Sequence, residues 1–316
     1  MRTIGTIAER EFRALVTAPL GWVIMLFFLF VSSIFFVAPL QRGFATMRLV
    51  VGNTTIWLVF LLPALTMRLL AEEKKQGTLE LLMTSPVTET QVVLGKYLGV
   101  LAYYAVMLFS TLQYVFALAW VRDKTPSPFF PTYVGLFLTA LTLVLLALAS
   151  VRESRPLGIA AAVAAVATAI CAGFAMKEMG EWGPALTGYI GLFMLGAVFL
   201  AIGVLTSGLT RNQIISWVST AAILLFLTVL ISWMSDQLPD QLPNREANAD
   251  FGATLQYLFG MMLYGFTQVF KALSLQQNLE NFAQGVLDLR DFVLYLSFIV
   301  ASLFFAVRGL QTSRWA

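Results

Sequence analysis

The chain has 316 residues, of which 59% are apolar and only 12% charged, and its net charge is +3. Soluble domains average about 45–50% apolar and about 25% charged residues, and a domain of this length could not enclose so much apolar surface in one core. The composition excludes a soluble enzyme, a disordered chain and a nucleic-acid-binding domain, and it points to an all-α, polytopic membrane helix bundle.

In residues 1–19, Ile4, Ile7, Ala8, Phe12, Leu15 and Val16 fall on one helical face, with Arg2, Glu9, Arg10 and Arg13 on the other. That pattern predicts an amphipathic helix lying in the inner headgroup layer. The apolar run 20–40 is longer than a signal-peptide core and no small-x-small cleavage site follows it, so a retained first helix is expected.

A spanning helix needs roughly 20 apolar residues. Eight runs qualify as candidate spans, at 20–40, 49–67, 97–121, 129–151, 156–176, 182–210, 214–235 and 292–307. The fourth and fifth are separated only by Arg152-Glu153-Ser154-Arg155, a tight polar hairpin. The fifth is nearly poly-alanine from Ala160 to Ala169, which predicts packing against protein with little lipid contact. Gly95 and Gly99 form a GxxxG pair, and Gly203 and Ser207 a small-xxx-small pair. Such spacings let helix backbones approach closely, within one subunit or between two.

No Asp, Glu, Lys or Arg falls in the middle of a span, where proton-coupled carriers and voltage sensors keep one. Gln113, Thr142 and Thr228 are read as helix–helix hydrogen-bonding groups. The chain has no histidine, and Cys171 is its single cysteine. No metal site, disulfide or intramembrane catalytic pair is therefore expected. Gly95-Lys96 is followed by Tyr97 and lacks the glycine spacing of a phosphate-binding loop, so any ATP must be bound by another chain.

The loop 68–96 is the most informative stretch. The second span is expected to run on helically through Glu72-Glu73-Lys74-Lys75 until Gly77 breaks it. Thr78 caps a new short helix with Glu80 in its first turn, Leu79, Leu82 and Met83 on one side, and Pro86 at its end. Two readings fit these residues: a short helix that plugs into a partner's groove, or a plain connecting loop whose leucines lie on the bilayer surface.

The one sizeable external segment is 236–291, polar from Asp236 to Asp250 and amphipathic over 255–287. Its stretch 255–273 is expected to lie flat at the outer surface, where Phe259, Tyr264, Phe266 and Phe270 suit the interface. Asp288-Leu289-Arg290-Asp291 is read as a salt-bridged turn at the last span. With the N-terminus inside and eight crossings, inner segments hold 12 of the 20 Lys and Arg against 7 of the 17 acids, the sign of the positive-inside rule. Both termini are then cytoplasmic.

Glu72-Glu73 … Gly77-Thr78-Leu79-Glu80-Leu81-Leu82 … Ser85-Pro86, followed by Gly95-Lys96, resembles the signature loop of the type-2 ABC exporter permeases, the ABC-2 family. Within it the chain is most similar to the branch of gliding-motility and nitrous-oxide-reductase maturation permeases. Glu9-Arg10-Glu11-Phe12, the segment 203–213 and the run 278–297 support the likeness, and the blocks cover most of 1–120 and 180–316. The resemblance implies a six-span core, so 122–181 is an inserted helix pair between units 20–121 and 182–235, followed by 236–291 and the last helix and tail, 292–316.

It further implies that Gly77, Thr78, Leu79, Glu80, Leu81 and Leu82 form a coupling helix docking into an ABC ATPase, with Glu72 and Glu73 facing basic residues of that partner. Two ATPase subunits, a second permease subunit (a copy or a different chain) and membrane lipid are the implied partners, with ATP and Mg bound by the ATPase and no nucleic acid involved. The implied function is the permease of an exporter in a bacterial inner membrane, without catalysis of its own. A non-transport scaffold or mechanotransmission subunit on the same framework is the alternative, and an intramembrane enzyme is disfavoured.

Overall fold

Among the described residues, six helical stretches are long and apolar enough to cross a bilayer: Pro19–Val37, Val51–Gln76, Glu89–Ala117, Gly183–Leu209, Gln213–Gln237 and Leu289–Thr312. The computed structural model describes residues 2–41, 47–77, 87–122, 129–152, 155–178, 182–239 and 251–312, with side chains over 3–37, 51–77, 87–117, 137–149, 156–172, 183–239 and 254–312. Among these residues every regular element is helical.

In chain order, α1 (Arg2–Thr17) precedes α2 (Pro19–Gln41) and α3 (Met47–Thr66), and the short α4 (Ala71–Gln76) continues below α3. Next come α5 (Glu89–Ser110), α6 (Gln113–Arg122), α7 (Phe129–Arg152), α8 (Arg155–Glu178) and α9 (Trp182–Leu209). The seventh candidate span is α10 (Gln213–Leu225) and α11 (Ile231–Gln237), joined by a π-helical turn, Phe226–Leu230. Then follow α12 (Phe251–Leu273), α13 (Leu275–Ala283) and α14 (Leu289–Thr312).

Helix α9 occupies the centre and packs against α3, α5, α10, α13 and α14. Lipid supplies no hydrophobic drive between helices, so close packing and hydrogen bonds must hold them. Three tyrosines of α5 do so from one helix. Tyr97 and Tyr104 donate to the carbonyls of Ala197 and Leu192 on α9 at 3.2 and 2.7 Å, and Tyr103 donates to Gly21 on α2 at 2.8 Å. A Cβ at Gly196 would lie 2.2 Å from the Tyr104 ring, so that buried aromatic needs a glycine opposite. Thr142 and Thr228, read as interhelical bonders, turn back onto their own helices, to Leu138 and Leu224.

The spans at 20–40, 49–67, 182–210 and 292–307 match α2, α3, α9 and α14 to within a few residues. The third run begins earlier than expected, at Glu89, and breaks at Thr111–Leu112 before α6. Helix α5 can start in polar sequence because α1 covers it.

The expected eight crossings resolve into the six stretches above and the α7–α8 hairpin, whose apolar parts described with side chains, Phe137–Ala149 and Pro156–Ala172, are shorter than a span. At one end α7 meets α1; toward the other, Ala172 of α8 packs with Phe36, Tyr114 and Ala185. The alanine-rich helix is protein-covered on one face only. Ala161, Ala164, Thr168 and Ala172 are buried, whereas Ile159, Val163, Val166 and Ile170 are 55–66% exposed.

The stretch expected to lie flat at the outer surface is the single helix α12, which meets α13 at Ser274 with a bend of 63°. Ser274 shares a 2.6 Å hydrogen bond with Ser232 of α11, while Gln277 donates to Ser235 at 2.7 Å and Tyr295 of α14 donates to Leu275 at 3.0 Å. Asn281 then donates to Asp291, at the start of α14, at 3.0 Å. Helix α13 therefore runs from α11, at Ser274, to the start of α14, at Asn281. At the turn expected to be salt-bridged, Asp288 instead caps α14 by accepting from the Arg290 amide at 2.9 Å.

Candidate functional site

Helix α3 ends just past Pro63, whose ring removes a donor from the helix. The amides of Met67 and Leu69 bond back to Pro63 and Thr66 at 2.9 and 3.1 Å, and the helix unwinds before α4 begins at Ala71. A new helix start leaves amide donors without intrahelical partners, and Leu70, in the cap position, offers no side-chain acceptor. The acceptor comes from α9. Ser207 Oγ takes hydrogen bonds from the amides of both Leu70 and Ala71 at 3.1 Å and donates its own proton to Met67 O at 3.3 Å. One turn earlier on α9, a Cβ at Gly203 would fall 2.1 Å from Thr66 Oγ1, so the glycine lets α3 come close enough for Ser207 to reach. The small-xxx-small pair thus serves a contact within the subunit.

The other end of α4 is tied to the same helix. Lys74 Nζ donates to the carbonyl of Gly208, one of the last of α9 and so without an intrahelical donor. Helix α4 then stops at Gly77, which adopts the left-handed conformation at φ 70° and returns its amide to Lys74 O at 3.4 Å. An L side chain is disfavoured there, and this is the helix break the sequence predicts at Gly77.

A third tie reaches α5. A capping box of Thr88 and Gln91 starts that helix, and its first turns slide under α1. A Cβ at Gly95 would lie 2.7 Å from the Ile7 side chain, and one at Gly99 would lie 2.7 Å from Ala8 O and Glu11 Cβ. The GxxxG pair therefore receives α1, which turns Ile7, Ala8 and Phe12 to α5 where a purely interfacial helix would turn them to lipid. Lys96, between the two glycines, is sealed beneath this contact. Its side chain is 3% exposed, and Nζ donates to Glu11 Oε1 of α1 at 2.7 Å and to Glu73 Oε1 of α4 at 2.8 Å. A buried ammonium is tolerated only when paired and hydrogen-bonded. Here two carboxylates from two other elements hold it, so α1, α4 and α5 share one ion cluster.

Of the residues assigned to coupling, Glu73 is thus committed to Lys96, and Glu72 bonds Arg68 at 2.8 Å and Gln76 at 3.3 Å. Both carboxylates engage partners within the chain. Gly77 closes α4, while Thr78, Leu79, Glu80, Leu81 and Leu82, with Ser85 and Pro86, lie outside the described residues. The roles of Glu11, Lys96, Ser207 and Gly208 escaped the sequence reading. The available signal was a lysine between two glycines at the head of an apolar run, with an amphipathic helix carrying Glu9 and Glu11 upstream to meet it. Among the described residues no three His, Cys, Asp or Glu side chains gather as a metal set. What the cluster does is fasten a short helix, at the head of a loop, to three longer ones.

Residues 11–179, more than half of the chain, match the family model described as ABC-2 family transporter protein. The matched range contains Glu11, α4, the loop beyond Gly77, Lys96 and the α7–α8 hairpin. No curated protein matches the chain.

Proposed function

The chain belongs to the ABC-2 transporter family, and we propose that it is the membrane-spanning permease subunit of an ATP-driven exporter, worked by a separate ABC ATPase that binds ATP and Mg. In this reading the protein lies in a bacterial inner membrane with both termini and the loop 68–96 in the cytoplasm. It pairs with a second permease, a copy or a different chain, over two ATPase subunits. Within the family we read it as nearest the gliding-motility and nitrous-oxide-reductase maturation branch, a reading supported by the resemblance of segments 203–213 and 278–297. The inserted pair 122–181 forms two further crossings, giving eight in all.

The observation that carries this reading is the triple tie on α4. A loop that merely connects two spans gains only stability from anchoring its first helix to its neighbours. A loop that receives a push must not fold up under it. ATP-driven closure of the ATPase pair displaces the segment 77–82, which is docked on that pair through Leu79 and Leu82. The displacement enters α4 at Gly77. From there it passes to α9 through Ser207 and Gly208, to α5 through Lys96, and to α1 through Glu11, so several helices tilt together.

The test is co-purification from gently solubilised membranes. Replacing Leu79 and Leu82 with glutamate is expected to abolish recovery of the ATPase while membrane insertion stays intact. Survival of the complex would overturn the docking assignment. Substrate-stimulated ATP turnover in liposomes separates the exporter from a scaffold or mechanotransmission subunit on the same framework, which would show none.

A further inference from the structure

A cavity of about 250 Å³ opens between α1, the start of α2 and the junction of α3 with α4. Its lining is mixed. Leu15, Leu20, Ile24 and Leu65 supply apolar surface, and Arg10, Arg68, Glu11 and Glu72 supply charge, together with the Lys96–Glu73 pair. Three cations thus face three anions. We propose that this cavity binds the headgroup of an aminophospholipid from the adjacent leaflet, with phosphate at Arg10 and Arg68, ammonium at Glu72 and Glu11, and the acyl chains leaving along the apolar surface.

Four observations converge on that ligand. Arg10 lines the cavity with no ion-pair partner among the described residues, and Arg68 spends only two of its five N–H donors, on Glu72. Guanidinium groups of this kind hold phosphate well. The carboxylates balance the cations, which disfavours a ligand bringing negative charge alone. A primary ammonium brings three N–H donors to those carboxylates, whereas a choline headgroup brings none. The volume admits a headgroup too: about 250 Å³ is many times the roughly 10–15 Å³ that a single water needs. The depth is also right. The cavity lies at the corner where α1 turns into the first span, and Trp22, 38% exposed there with its indole N–H given to Val16 O at 2.7 Å, suits the headgroup level.

The full chain is reconstituted in nanodiscs of equimolar phosphatidylethanolamine, phosphatidylcholine and phosphatidylglycerol, and the lipid retained on release is read by native mass spectrometry. Phosphatidylethanolamine is expected to be enriched at least tenfold over each of the others. Arg10→Ala, at an exposed position, should bring the enrichment below twofold. Ala14→Trp, which fills the cavity and keeps every charge, should do the same, and matching thermal midpoints show that either variant is folded. No enrichment of phosphatidylethanolamine, a preference for phosphatidylglycerol, or enrichment persisting in folded Arg10→Ala overturns the site. Displacement of the lipid by millimolar free phosphoethanolamine would assign the cavity to a soluble ligand and overturn the lipid. Retention is read without any ATPase, so failure here leaves the coupling reading untouched.

Discussion

Lys96 meets Glu73 at 2.8 Å although 23 residues of chain separate them, and the same ammonium holds Glu11, 85 residues upstream, at 2.7 Å. The loop between α4 and α5 therefore leaves from and returns to a single charged knot. Its ends are fixed relative to each other before any partner arrives. For a segment whose task is to transmit displacement, such preorganisation lowers the ordering cost of docking.

Removing the ammonium should leave two mostly buried carboxylates facing one another. Lys96→Met is expected to destabilise the protein by about 3–5 kcal/mol, the usual cost of orphaning a buried charge. That corresponds to a fall of roughly 5–15 °C in the thermal midpoint in detergent. The triple variant Lys96→Met, Glu11→Gln, Glu73→Gln should recover most of it. Equal midpoints for the single variant and the wild-type protein would show that the cluster contributes nothing.

Ser207→Ala removes the acceptor shared by two amides at the start of α4. Leaving buried donors unmet costs about 1–3 kcal/mol, and the loss should be local. Hydrogen exchange at Leu70 and Ala71 is expected to speed up at least tenfold, with the amides of α14 unchanged. Uniform acceleration across both regions would argue against a capping role.

The seat of α1 on α5 depends on a missing side chain. At Gly99 a Cβ would strike the α1 backbone at Ala8 O, whereas at Gly5 it would meet nothing within 4 Å. Gly99→Val is therefore expected to lift α1 and raise its amide exchange, and Gly5→Ala to leave exchange unchanged or slower. A protected α1 in Gly99→Val would place the helix elsewhere.

At the opposite end Asp291 is only 3% exposed and is held by Asn281 Nδ2. Asn281→Leu strands that carboxylate and should lower stability by about 1–3 kcal/mol. Pairing it with Asp291→Leu should restore much of the loss, because two apolar groups need no partner. Thermal midpoints of the two single variants and the double variant close this cycle, and strict additivity would deny the contact.

Much of the architecture was legible in the linear order of residues. Spans announce themselves because about 20 apolar residues in a row have no other way to avoid water, and α2, α3, α9 and α14 fall where such runs lie. Gly77 was legible as a helix break for a backbone reason that needs no neighbours. The bend at Ser274 was not. A serine in an amphipathic run looks like any surface polar group until Ser232 of α11 is found opposite it. The start of α5 was hidden too, since Thr88 to Lys96 is polar enough to pass for loop, and only the cover of α1 makes it helix.

The sequence by itself settled that the protein is membrane-borne, helical and built around a charged loop, because those properties follow from transfer free energies and local backbone preferences that each segment carries alone. Tertiary structure decided what the polar residues near that loop are for. Glu11, Glu73, Lys96 and Ser207 acquire their roles only from groups 23 to 140 positions away. A hydrogen bond or ion pair between distant segments leaves no periodicity in either of them, so the junction that fastens the loop to the bundle becomes visible only once the helices are packed.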